Sequence, residues 1–379
     1  GIRFQTLFTN DWDIRDDDWG FVEGHESNFL LRRSRFKFDG FAFTPKLKYK
    51  MEFGLTNRDM GGGINTEHGF SPRFILDAYL EWNFWKGFSL KFGQSKLPGN
   101  RERVISSANM QTVDRSRLNS RFNIDRDIGI SLKHKWKIGK NFTVKEQVFF
   151  SQGEGRDVTI GNQGGYCYTF RGEILPFGSF QSKGDYVGSA IKREDKPKLA
   201  LGFTYDINDR AVRQRGQLGS YIYNVDGSIT DGQTLNTIFA DLMFKWKGLN
   251  IMAEFANKTT PSGDPRIYDK DDPTVVIGTQ YTGTGISGQI GWMFKNNLEI
   301  VGRYTTINNT AGYDTGGNVV AGGNDENEYT IGLNKYFVGH KLKVQTDLSW
   351  RDRSVEGSTA ANGGRDDKLY WRVQFDIHF

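Results

Sequence analysis

The chain has 379 residues, with 50 Lys and Arg against 45 Asp and Glu for a formal charge of +5, and it carries 46 glycines and only 8 prolines. Its 29 Phe, 15 Tyr and 9 Trp exclude a disordered chain. No apolar run approaches the roughly 20 residues of a transmembrane helix, and the single cysteine, Cys167, excludes both an intramolecular disulfide framework and a cysteine zinc site.

Along the chain the dominant hydrophobic period is two, the period of a strand with one apolar face. Arg33, Arg35 and Lys37 alternate with Ser34, Phe36 and Phe38. Over 46–53, Leu47, Tyr49, Met51 and Phe53 share one face while Lys46, Lys48, Lys50 and Glu52 share the other. The pattern continues through Phe74/Leu76/Ala78/Leu80/Trp82, Phe88/Leu90/Phe92, Ile128/Ile130/Leu132 and Leu199/Leu201/Phe203/Tyr205. It recurs at Ile238/Ala240/Leu242/Phe244/Trp246 and Leu342/Val344/Thr346/Leu348/Trp350, and ends at Leu369/Trp371/Val373/Phe375/Ile377/Phe379. About sixteen such segments are present. Their length matches the about 9–11 residues of a membrane-crossing strand better than the about 5–6 of a soluble one. Trp82, Trp85, Trp136, Trp246, Trp292 and Trp350 lie at or near segment ends, where an indole suits the headgroup layer.

The links alternate. Those after the second, fourth, sixth, tenth, twelfth and fourteenth segments (40–45, 85–87, 138–141, 247–249, 295–297 and 338–340) are short, whereas those after odd segments are long and polar: 10–27, 56–73, 96–125, 152–164, 208–235, 258–275, 308–327 and 352–367. Short periplasmic turns alternating with long outer loops are the mark of an outer-membrane barrel. The expected fold is therefore all-β: one transmembrane antiparallel β-barrel of about 16 strands over 1–379, its first and last strands pairing to close it. The link 178–196 departs from the rule, because it is long where a periplasmic turn belongs. A propeller or large sandwich would show short strands, no alternation of loop length and, in a propeller, a repeated blade motif. The expected location is the bacterial outer membrane, with any signal peptide already removed.

If the apolar faces meet lipid, the opposite faces line a lumen, and basic residues gather there. Arg33, Arg35, Lys37, Lys46, Lys48, Lys50 and Lys91 are joined by Lys133, Arg303, Lys343 and Arg372. Such a wall creates a positive potential that low-dielectric surroundings focus, favouring small anions. The third long loop, 96–125, mixes Arg101, Arg103, Arg115, Arg117 and Arg121 with Leu97, Val104, Ile105, Met110, Val113, Leu118 and Phe122, and Arg126 follows it. Apolar residues in that number need something to pack on, so the loop is expected to fold inward and constrict the lumen. Its guanidiniums match phosphate or carboxylate geometry. The bland reading makes it a subunit contact whose arginines pair with loop carboxylates.

Catalysis finds no support in the sequence. A barrel phospholipase needs a Ser–His pair on the outer wall, and His134, the one histidine on an expected lipid face, reads as a girdle residue. No His/Asp/Glu spacing suggests a metal site, and no cofactor is expected. The glycine cluster Gly61-Gly62-Gly63 lacks a strand–loop–helix context. The acidic tracts at 11–18 and 270–272 lack the ligand spacing of a calcium loop and read as solvated. The basic residues lie on strand faces without a recognition element, so no nucleic-acid partner is expected.

Several segments carry a family likeness. Arg32-Arg33-Ser34-Arg35-Phe36-Lys37-Phe38 resembles the double-arginine second strand of the phosphate-selective porin O and P family. Phe74-Ile75-Leu76-Asp77-Ala78-Tyr79-Leu80-Glu81 resembles its Asp-Ala-Tyr strand, and Leu90-Lys91-Phe92-Gly93-Gln94-Ser95-Lys96-Leu97-Pro98 its Gly-Gln-Phe-Lys-x-Pro strand end. Val113-Asp114-Arg115-Ser116 and Asp125-Arg126-Asp127-Ile128-Gly129 are similar to its constriction segment, and Lys183-Gly184-Asp185-Tyr186 with Pro197-Lys198-Leu199-Ala200-Leu201-Gly202 to a later stretch. The likeness covers about 28–205 by motif and the remainder by architecture.

The resemblance implies a sixteen-stranded porin, commonly trimeric, with an inward third loop and an arginine- or lysine-lined anion path. On matched motifs it carries over Arg33, Arg35, Arg115 and Arg126. The expected function is passive diffusion of small anions, phosphate or polyphosphate among them. Arg33, Arg35 and Lys37 would face the arginines of the loop across the constriction. Outer-membrane lipid, lipopolysaccharide and either a homotrimer or a larger outer-membrane complex are the expected partners. The alternative is a barrel that mainly anchors or scaffolds such a complex.

Overall fold

The computed structural model describes residues 1–14, 22–61, 66–69, 72–139, 141–309, 311–313, 319–321, 325–353 and 367–379. Parts of the acidic tract at 11–18, of the 61–63 glycine cluster and of the last two long loops lie outside the described residues.

Sixteen antiparallel strands form a closed barrel. In chain order they are β1 Ile2–Ile14, β2 Val22–Ala42, β3 Thr44–Gly54, β4 Ile75–Trp85, β5 Phe88–Lys96, β6 Arg126–Ile138, β7 Phe142–Ser151 and β8 Cys167–Leu175. There follow β9 Lys198–Ala211, β10 Gln233–Trp246, β11 Leu249–Thr259, β12 Gly283–Met293, β13 Leu298–Asn309, β14 Glu326–Tyr336, β15 Leu342–Arg353 and β16 Asp367–His378. Among the described residues two small sheets decorate the loops, pairing 266–268 with 276–279 and 311–313 with 319–321. Closure is made by β1 against β16, in register from Arg3↔His378 to Ile14↔Asp367. The Ile2 amide also donates to the Phe379 carbonyl at 2.8 Å. No strand edge is left in the ring, as a lipid environment requires.

The short links are as tight as their spacing predicts. Only Phe43 separates β2 from β3, and the β10–β11 turn is Lys247-Gly248, both with positive φ (49° and 111°). The first outer loop is shorter than expected. Asn10 to Ile14 and Val22 to Ser27 continue the β1–β2 ladder, leaving only 15–21 between the two strands.

Period two becomes two surfaces. On β10, Ile238, Ala240, Leu242, Phe244 and Trp246 occupy one face, while Thr237, Phe239, Asp241, Met243 and Lys245 are buried on the other. Around the outside, Phe92, Ile130, Leu132, Phe203, Ile286, Ile290, Ile331 and Phe375 are exposed, with Trp82, Trp85, Trp136 and Trp292 among them. Moving one such side chain out of water gains about 1.5–3 kcal/mol, so this belt calls for hydrocarbon. Leu76 is an exception to the outward row. It is buried, because the β3–β4 ladder bulges here: Glu52 pairs with Asp77 and Phe53 with Ile75, so the pairing skips Leu76 and the alternation of faces breaks.

The inside contains a dry core on one flank. Leu97, Leu118, Phe122 and Ile124 of the third loop pack with Phe149, Cys167, Phe239, Ala256 and Ile307 of the wall. Ile105 joins Leu175, Phe180, Ala200, Met243 and Met252. The loop is thus held by the hydrophobic effect as well as by polar bonds.

Candidate functional site

The third loop leaves β5 at Leu97, whose amide bonds to the Asp125 carbonyl at 3.0 Å and closes the loop base. Two short helices, Arg101–Val104 and Arg117–Phe122, stiffen it. Ser116 caps the second by accepting from the Asn119 amide, and the Glu102 carboxylate accepts from the Ser116 amide and hydroxyl. Its middle crosses the lumen. Gln111 donates to Glu299 and accepts from Asn250 and Gln289, and the Val113 amide donates to Asp347. At the near wall Ser107 accepts from Arg3 at 2.7 Å. The expected inward fold of this loop is what the structure has.

The long link 176–197 also folds inward, from the opposite mouth. Lys245 donates to the carbonyls of Gly184, Val187 and Ser189 at 2.6–2.8 Å. The Gly188 amide reaches the Asn109 carbonyl of the third loop at 2.7 Å, and Asn250 donates to the Gly188 carbonyl. Ala190 packs with Met293 and Tyr336, and Ser189 pairs with His340. Two inward segments therefore meet, and the apolar residues of both pack on the flank from β7 round to β14.

The arginines are distributed by their carboxylate partners. Arg101 is fully buried against Asp241 (2.8 Å) and Glu173 (3.0 Å) on the far wall. Arg117 and Arg121 both pair with Glu326 on β14. Arg103 pairs with Asp125, and Arg115 donates to the carbonyls of Glu102 and Ile105. Arg101, Arg117 and Arg121 thus do not face Arg33 and Arg35 as expected, because strand carboxylates on other flanks hold them.

On the near wall, Arg35 pairs with Asp59 and with Glu52 at 3.1 Å, and Arg126 with Asp77 at 2.7 Å. Arg33 donates to Gln5 and stands 4.0 Å from Asp114, whose carboxylate also receives Arg32 (2.7 Å) and Arg372 (3.3 Å). Burial alone would raise the Asp114 carboxyl; Arg32, Arg372 and Arg33 outweigh it and hold it far below the usual carboxylate range. Lys50 joins Asp77 and Glu52. Lys37 pairs with Asp39 at 2.8 Å, and Lys46 is exposed at the start of β3.

Open space lies along β2–β8. A neck of about 200 Å³ is bounded by Arg35, Lys50, Glu52, Asp77, Tyr79, Lys91, Lys96 and Arg126 on the wall, and by Val104, Ser106 and Ser107 on the loop. It shares Lys91, Lys96 and Val104 with a chamber of about 770 Å³, and Lys50 and Tyr79 with one of about 660 Å³. Twelve basic and seven acidic residues line the three spaces. Lys48, Lys91, Lys96 and Lys183 have no carboxylate oxygen within 4.0 Å among the described residues. Lys91 instead lies over the Tyr79 ring, 4.4 Å from its centroid.

Sequence reasoning missed Lys183, Lys145 and Tyr186. Lys183 borders both chambers from the inward link, where Ser182 and Lys183 both take left-handed backbone conformations (φ 50° and 56°). The available signals were the anomalous length of that link and the family-like stretch Lys183-Gly184-Asp185-Tyr186, neither of which assigned these side chains to the lumen. His134 stacks on Phe88 (centroids 3.9 Å apart) beside Trp136, a packing role.

Over residues 4–377 the sequence matches the model of a family described as phosphate-selective porin O and P. Among curated proteins none matches the chain in sequence. Solved structures of the same fold include the outer-membrane channel DcaP of Acinetobacter baumannii, at 12% identity, covering 100% of this chain and 96% of that one with a TM-score of 0.53. The anion-selective porin of Comamonas acidovorans shares 10% identity over 100% and 98% of the two chains, TM-score 0.52. The trimer form of OmpT from Vibrio cholerae shares 12% over 99% of each, TM-score 0.52.

Proposed function

Because this chain belongs to the phosphate-selective porin O and P family and so is a porin of the bacterial outer membrane, we propose that it conducts small anions by passive diffusion along its β2–β8 flank. The observation that carries this reading is the cationic excess of the open space, with Lys48, Lys91, Lys96 and Lys183 unpaired with any described carboxylate. In a narrow, low-dielectric passage such groups attract an anion and replace part of its hydration. Arg35, Lys50 and Arg126, already bridged by Glu52 and Asp77, contribute a weaker field. That balance suits conduction, since a site that binds too tightly cannot release. Of the other expected pore residues, Arg33, Lys37, Lys46 and Arg103 add to the potential near the path. Arg101, Arg115, Arg117 and Arg121 hold the loop in place.

Phosphate or polyphosphate is one solute class under this proposal, and a homotrimer in outer-membrane lipid and lipopolysaccharide is the proposed assembly. The Comamonas acidovorans neighbour is described as anion-selective and the OmpT neighbour as a trimer, which agrees with both. The test is planar-bilayer recording in asymmetric KCl, followed by titration with phosphate. A reversal potential on the chloride side is expected, and block by phosphate would identify phosphate as a ligand. A cation-side reversal potential would overturn the proposal, and absence of conductance would favour the anchoring reading.

A further inference from the structure

The larger chamber mixes charge with carbon. Its wall presents ammonium groups: Lys91, Lys133 and Lys145 on neighbouring strands, with Lys183 entering from the inward link. Carbon lines it too, through Val104 of the loop at the constriction, Phe180 and the ring of Tyr186 on the link, and Phe88 and Leu175 of the strands. A hydrated inorganic ion has no use for this carbon, which gains nothing by touching it.

Charge and size narrow the solute further. About 770 Å³ is within the range of pockets that take drug-sized molecules, well beyond what a chloride or phosphate ion fills. The chamber also holds Glu81, Glu173 and Asp185, paired with Lys133 and Lys145. These carboxylates temper the field, so that each further negative charge on a solute meets repulsion as well as attraction. Lys91, Lys96, Lys135 and Lys183 have no such partner among the described residues and remain for an anionic head.

We infer that the chamber is a binding site for organic anions that carry one carboxylate or sulfonate on an apolar body. The head meets Lys91 and Lys183, and the body lies along Val104, Phe180 and Tyr186. This rests on the anion-porin reading and names its solute class. The probes are 2-naphthalenesulfonate, methanesulfonate and inorganic phosphate, each added to the porin in a planar bilayer in KCl. Naphthalenesulfonate should reduce the current at about tenfold lower concentration than the other two, the contribution of a desolvated apolar body. Val104→Asn, at a half-buried position, should remove most of that advantage while leaving methanesulfonate unchanged. Lys91→Gln should weaken both sulfonates, and an unchanged β-sheet circular-dichroism spectrum reports a folded barrel for each variant. Equal block by all three probes, stronger block by phosphate, or a Val104→Asn pore that still favours naphthalenesulfonate would overturn the inference while the anion-porin reading stands. A wild-type pore without anion preference would fail the underlying reading instead.

Discussion

The Arg101 guanidinium lies 2.8 Å from the Asp241 carboxylate with both side chains sealed from solvent, so a residue of the third loop is bolted to the tenth strand across the barrel. Arg171 reaches the same carboxylate at 2.8 Å, and Glu173 serves both guanidiniums. Removing one member strands the others in a low-dielectric site. Asp241→Ala should therefore cost about 3 kcal/mol of stability and loosen the loop. Chemical unfolding monitored by tryptophan fluorescence, with single-channel noise as a second readout, checks this. Unchanged stability would mean the loop is held by its apolar packing alone.

One contact between the loop and the inward link is made by a glycine. A Cβ on Gly188 would lie 2.8 Å from both the Asn109 carbonyl oxygen and the Gln111 nitrogen, which are backbone atoms with nowhere to go. Gly188→Val should force the two segments apart at a cost of about 1–3 kcal/mol and change the conductance. Deleting 99–121 should raise conductance more strongly, because the crossing segment itself is gone. A deleted pore of wild-type conductance would place the narrowest point elsewhere.

The near-wall arginines act by sign. Arg33→Glu with Arg35→Glu puts carboxylates beside Asp114, Asp59 and Glu52, reversing the field at the neck. The reversal potential in asymmetric KCl should move toward the cation side. An unmoved reversal potential removes both residues from the path.

Much of this architecture was legible in the residues. Alternation along β3, β10 and β16 survives in the fold because a strand in lipid must be apolar on one face throughout, and short turns leave little freedom. The arginine partners were not legible. Arg101 with Asp241 and Arg117 with Glu326 join positions far apart in sequence, through a closed ring whose register no local pattern encodes. Phe239 and Met243 sit on a face that alternation assigns to water, yet the inward loop and link bury them. The link 176–197 announced itself by its length and by Lys183-Gly184-Asp185-Tyr186, but its inward course did not, since the carbonyls of Gly184, Val187 and Ser189 that accept from Lys245 leave no mark in the residue pattern.

The outer loops carry a pH dependence. Burial first, then the Arg73 guanidinium beside it, pushes the His68 imidazole down to about 4 from its ordinary 6.5. A histidine depressed in the folded state stabilises fully above its unfolded pKa, and that contribution is lost as pH falls through the folded value. Between pH 6.5 and 4 the contacts around it, including the Thr159 amide on the Glu67 carbonyl and the Tyr223 hydroxyl on the Glu67 carboxylate, should open more often. Amide exchange of Thr159 should accelerate across that window, and His68→Gln should flatten the dependence.

The claim that ions follow the β2–β8 flank is tested most directly by giving Lys48→Cys a negative charge in an open pore. Cys167 is fully buried and does not compete for reagent. Modification with sulfonatoethyl methanethiosulfonate during recording should shift the reversal potential toward the cation side and lower the anion current. Complete modification, verified by mass, with an unaltered reversal potential would contradict the account and put the ion path elsewhere in the barrel.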